Sequence, residues 1–129
     1  MSASVAAMSS WSRSVLVATA LLVPTASASD PFVHYYGSSP QGNVVFHANA
    51  KANPVYIGGF HFVTRCGTSW VPGHMDTGAG ARFHYRSPHG HLVVRGQLEV
   101  NGPGDAAGIV IVHRGACRSG TLRWTANSN

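Results

Sequence analysis

Apolar and polar residues alternate with a period of two through most of the chain beyond Asn43, and no window there carries an apolar stripe at helical spacing. The clearest segment is 91–100, where Leu92, Val94, Leu98 and Val100 fall on one face and Val93, Arg95, Gln97 and Glu99 on the other. Gly96 falls on the apolar face, where a missing side chain signals a bulge or a close approach by a neighbour. The same pattern predicts strands over 43–50, 55–66, 82–86, 107–114 and 121–126, with 32–36 as an edge strand. Turn formers punctuate them at Ser87-Pro88-His89-Gly90, Asn101-Gly102-Pro103-Gly104-Asp105 and Cys117-Arg118-Ser119-Gly120. The spacing predicts an all-β meander, a single antiparallel β-sandwich or small β-barrel of about six to seven strands. The stretch 67–81, with Trp70, His74 and Asp76 among glycines, reads as one long loop that covers a barrel end or forms a binding loop. The last residues, 127–129, are expected to fray.

The start of the chain follows another rule. Arg13 precedes an apolar run from Val15 to Val23, and the small residues Ala26-Ser27-Ala28 follow, which is the layout of a secretory signal peptide. The run stops at Pro24, well short of the roughly 20 apolar residues a membrane span needs. Cleavage after Ala28 gives a signal peptide over 1–28 and a secreted domain over 29–129, long enough for one modest core and expected to be a monomer. In an oxidising compartment the two cysteines, Cys66 and Cys117, form a disulfide by default, with two free thiols as the alternative. A bridge closing a loop of that size contributes about 3 to 4.7 kcal/mol in the chain-entropy model.

Charge narrows the partners. Nine Lys and Arg stand against four Asp and Glu, with eight His besides, so mild acidification adds considerable positive charge. Such a balance points to acidic partners; a nucleic acid is not expected.

Three stretches of the chain together have a familiar look: Tyr35-Tyr36-Gly37-Ser38-Ser39-Pro40-Gln41-Gly42, then Ile57-Gly58-Gly59-Phe60-His61-Phe62 leading to Cys66, then Gly108-Ile109-Val110-Ile111 and the closing Cys117-Arg118-Ser119-Gly120-Thr121-Leu122-Arg123-Trp124-Thr125-Ala126. In these motifs the chain resembles a group of small secreted, β-rich proteins of actinobacterial type that end in Cys-x-Ser-Gly-Thr-x-x-Trp-x-Ala. The resemblance covers nearly the whole secreted domain. It implies export, pairing of the two cysteines and a β-rich fold, and it brings no established activity with it. The chain is richer in His than that group, so no role for the imidazoles carries over.

Three predicted strands share a pattern, Phe46-His47, Phe60-His61-Phe62 and Phe83-His84-Tyr85, in which alternation separates rings from imidazoles. With the aromatics in the core, His47, His61 and His84 point outward beside Arg65, Arg82 and Arg86. That face reads either as a binding surface for an anionic polymer or cell-envelope partner, tighter as pH falls, or as a solvated sheet face. Trp70 reads equally as a sugar-stacking platform or a plug for the barrel end, whereas Trp124, in step with Leu122 and Ala126, reads as core. The alternative function is extracellular copper or zinc binding through His74, His89 and His91 with Asp76, although no His-Glu-x-x-His or Cys-x-x-Cys spacing supports it. Otherwise no cofactor is expected. No nucleophile elbow or carboxylate pair appears, so the expected class is a non-catalytic binding protein.

Overall fold

A computed structural model of the chain describes residues 31–128, so the expected signal peptide lies outside the described residues. The chain begins with β1 (Phe32–Ser39), β2 (Gly42–Asn49) and β3 (Tyr56–Thr64), each antiparallel to the one before. Two short strands, β4 (Gly67–Trp70) and β5 (His74–Asp76), then run back along the free side of β3. Val71 N donates to Phe60 O at 2.9 Å between them, so together they make one interrupted edge strand. After a short 3-10 turn (Ala79–Ala81) come β6 (Arg82–Arg86), β7 (Leu92–Leu98) and β8 (Asp105–Arg114), then β9 (Cys117–Arg118) and β10 (Leu122–Ser128). The strand order is β4-β3-β2-β1-β10-β8-β7-β6, an antiparallel sheet curled into a half-barrel. Among the described residues no helix is long and apolar enough to cross a membrane.

The all-β antiparallel class and the Cys66–Cys117 disulfide are as the sequence predicts. Four details differ, and each has a local cause. Among the described residues the strands number ten, because 67–76 carries β4 and β5 and not a loop, and Cys117–Arg118, expected as a turn, pairs with β8 as β9. Only Ser69 and Met75 of β4 and β5 turn inward and are buried, which leaves no apolar alternation to read. β1 lies inside the sheet, between β2 and β10, and not at an edge. Its register with β10 pairs Tyr35 with Ser128, which orders residues expected to fray. Finally, Glu99 adopts a positive φ of 57°, so the alternation ends with β7 and Val100 is exposed.

The core is built from rings. Phe46 of β2, Phe60 of β3, Phe83 of β6 and Trp124 of β10 are all buried and in mutual contact, with Phe46 and Phe60 each 5.6 Å from Trp124 between centroids. Ile57 and Phe60 both face inward although three positions apart, because the Gly58-Gly59 pair inserts a bulge where the register with β2 shifts. Gly96 lies under the rings: a Cβ there would come within 2.8 Å of Trp124 Cζ2 and nearer still to Phe83.

One end of the half-barrel is stitched shut. The disulfide joins the β3–β4 turn to β9, Gln41 Nε2 donates to Ser119 O at 3.1 Å, and Arg65 N donates to Gln41 Oε1 at 2.9 Å. The buried Ser119 hydroxyl accepts from Val112 N at 2.8 Å and donates to Gly120 O at 2.7 Å. The opposite end, where β1 and β8 begin and β2 and β7 finish, has no disulfide among the described residues and is tied by Thr77 Oγ1 donating to Val55 O at 2.7 Å and Ser128 N donating to Gly104 O at 2.7 Å.

Because the ring cluster leaves no room at Gly96, Gly96→Ala is expected to destabilise the fold by about 1 to 3 kcal/mol, the usual cost of overpacking. Gly78→Ala, whose Cβ would meet nothing nearer than 4.0 Å, is expected to change stability little. Urea denaturation of the two variants beside the parent checks this; equal midpoints would show that the rings can yield.

Candidate functional site

Curling brings the two sheet edges, β4–β5 and β6, to face each other across a seam. Gly78 N donates to Arg82 O at 2.8 Å and bridges one end of it. Around that bridge lies a groove of 570 Å³, lined by Asp76, Thr77 and Gly78 on one side and by Arg82, His84 and Arg95 on the other. Further along, a groove of 280 Å³ runs between Trp70 and the β6–β7 turn, with His89, His91, His113 and Arg114 on its walls.

Alternation along β6 positions the charged side chains. Phe83 is buried and Tyr85 packs against the core, so Arg82, His84 and Arg86 face solvent, and His84 sits opposite Arg95 of β7. Arg65, Arg82 and Arg86 make no ion pair and no side-chain hydrogen bond among the described residues. The one ion pair among those residues is His74 Nε2 to Asp76 Oδ1 at 3.3 Å, itself exposed.

The opposite wall carries a stacked pair. Trp70 is 60% exposed and lies on the His61 ring at 4.1 Å and 22° between planes, so it does not plug the barrel end. His61 Nδ1–H donates to Gly59 O at 2.9 Å, which fixes the imidazole plane and leaves Nε2 free of that bond. Arg114 holds β4 beneath the indole, donating to Cys66 O at 2.8 Å and to Thr68 O and Ser69 Oγ at 3.1 Å each. Arg114, His113 and Arg95 carry no motif and are not singled out by sequence reasoning. The disulfide is the signal that could have found Arg114, since pairing Cys117 with Cys66 sets its neighbour beside β4.

The expected single face is thus two walls, His61 and Trp70 on one and Arg82, His84 and Arg86 on the other. His47 belongs to neither. It lies half-buried over the Gly58-Gly59 bulge, where a Cβ on Gly58 would meet its Nε2 at 2.7 Å, with Phe32 edge-on at 4.9 Å and His34 at 6.0 Å. Burial, and secondarily the charge of His34, lower the His47 pKa from its ordinary value. The metal candidates are also dispersed. His74 is paired to Asp76 and packs on Tyr56 at 4.6 Å, while His89 and His91 stand 5.8 Å apart in the β6–β7 turn. Among the described residues no three His, Cys, Asp or Glu side chains are grouped to hold a metal ion.

Comparison of the chain with protein-family models, with curated proteins and with solved structures returns no match.

The lowered pKa of His47 fixes a sign. As pH falls below the ordinary histidine value near 6.5, the unfolded chain takes up a proton that the folded chain refuses, so stability is lost until the folded pKa is passed. His47→Gln is expected to flatten that loss between pH 7 and pH 5. Urea midpoints of parent and variant across that range check it, and parallel curves would overturn it.

Proposed function

We propose that the protein is an exported, non-catalytic binding domain that engages an anionic extracellular polysaccharide across the open seam of the half-barrel. The observation that carries this reading is the row of uncompensated guanidinium groups on β6, one edge of the seam, together with an exposed Trp70–His61 stack at the other edge. An anionic chain entering the seam meets Arg82 and Arg86 without having to break an internal ion pair. The indole offers an apolar face on which a sugar ring can lie, with its orientation fixed from below by Arg114 through β4. A disulfide at the stitched end fits an oxidising compartment outside the cell.

Heparin, a sulfated sugar polymer, and polyglutamate, a polyanion without sugar rings, separate the two parts of the site. Both are expected to bind at low salt and to be released as salt rises. Arg82→Gln with Arg86→Gln weakens both, whereas Trp70→Ala weakens heparin about tenfold and spares polyglutamate. Calorimetry or indole fluorescence reads the affinities. Heparin binding that ignores the Arg pair, or no heparin binding at low salt, would sink the proposal.

A further inference from the structure

The open end of the half-barrel holds a further cavity, of 420 Å³, which shares Thr77 with the groove at the seam and none of the Trp70, His61 or arginine side chains. Its walls are mostly apolar, with Val33, Ala48, Val55, Ala81 and Leu98 brought together where strands begin and end. Barrel mouths of this size and lining are common positions for small-molecule sites.

Two polar groups converge on it. Tyr35 is only 5% exposed and stacks on Phe46 at 4.7 Å and 9° between planes. Its hydroxyl makes no hydrogen bond to any described residue. Among those residues Trp124 Nε1 is the one side-chain polar atom both sealed from solvent and unpartnered, so the Tyr35 hydroxyl is not sealed and opens on the cavity it lines. A hydroxyl in an otherwise buried side chain with no internal partner is a group built to meet something from outside. The second group is Glu99, whose positive φ of 57° is held by its N–H donating to Asp105 O at 2.6 Å, and which lines the rim with its carboxylate exposed.

The charge at this end is opposite to that of the seam. Asp105 lies close behind the rim, its carboxylate accepting from Asn101 N at 3.1 and 3.2 Å, while the Glu99 carboxylate has no ion pair among the described residues. Among the described residues no Lys, Arg or His lines the cavity, although the chain has nine Lys and Arg and eight His. Burial, then Glu99, then Asp105 raise the Tyr35 pKa above its ordinary value, so the hydroxyl stays protonated and can both donate and accept.

We propose that this cavity binds a small amphiphilic amine, its apolar body between Val33, Ala48, Val55 and Leu98 and its ammonium at Glu99 within reach of the Tyr35 hydroxyl oxygen. An anionic head of the same length would face the Glu99 carboxylate, with Asp105 behind it and no base among the described lining residues to receive it.

Octylamine and octanoate, which share an apolar tail and differ in the sign of the head, test this by amide NMR titration of the purified protein. Octylamine is expected to give saturable shifts at Val33, Tyr35, Ala48 and Leu98, and octanoate to bind at least about tenfold more weakly. Tyr35→Phe, which keeps the stack on Phe46, and Glu99→Gln, at an exposed position, each weaken octylamine about tenfold without moving the melting temperature. Trp70→Ala leaves octylamine binding unchanged, which separates this site from the seam. Shifts confined to the Trp70 groove, equal binding of octanoate, or parent-like binding by the Tyr35→Phe/Glu99→Gln double variant would overturn the proposal.

Discussion

Four aromatic rings from strands scattered along the chain meet at one point, and that meeting sets the curl of the sheet. Phe83 belongs to the edge strand β6, yet its ring lies 6.3 Å from Phe60 on β3, six strands away in the sheet order. Strands spaced about 4.8 Å apart in a flat sheet would hold β3 and β6 roughly 29 Å apart. Contact between the rings therefore requires the sheet to roll up, and burial of such large apolar surfaces is the driving force for it. Gly96 permits the closest part of that contact, since any side chain there would occupy the space of Phe83 and Trp124.

Curl without complete hydrogen bonding leaves an interval between the two edges, and the chain uses its edge residues to manage it. Unpaired strand edges invite pairing with other chains, and charged side chains are a common protection against that. Arg82, His84 and Arg86 supply such protection on β6, while β4–β5 is broken by Pro72 and Gly73 into pieces too short to template a partner. The residues that guard the edge are therefore also those that give the seam its charge. Away from the edges, the disulfide, Gln41 and Ser119 tie the β1–β2 turn, the β3–β4 turn and β9 together at one end of the half-barrel.

Much of this was legible in the sequence. Period-two alternation located β6 to the residue and β2, β3, β7, β8 and β10 to within a few, because each has one face on a ring-filled core. The pairing of Cys66 with Cys117 and the burial of Trp124 were likewise readable. What was hidden depended on partners distant in sequence. β4 and β5 owe their extended form to hydrogen bonds with β3, and β1 owes its interior position to β10. For the candidate site, alternation rightly put His61, His84 and the arginines outside. It could not show that the curl would split them into two walls, or that a double glycine would draw His47 down onto β3. Tyr35 and Glu99 were invisible for the same reason, being brought to one mouth by topology alone.

The pairing of β1 with β10 has a temporal side. Most neighbours in this sheet are also neighbours in sequence and can form hairpins as they are made, but β1 gains its second neighbour only from the last residues of the chain. Such long-range closure is slow, because a large loop must be ordered before the contact rewards it. Apart from β10, the pairing divides the strands into two meanders, β1–β5 on one side and β6–β9 on the other. Phe46 and Phe60 belong to the first and Phe83 to the second, and Trp124 comes with the strand that joins them. β10 thus supplies both the strand that joins the two meanders and the ring on which their aromatic faces meet.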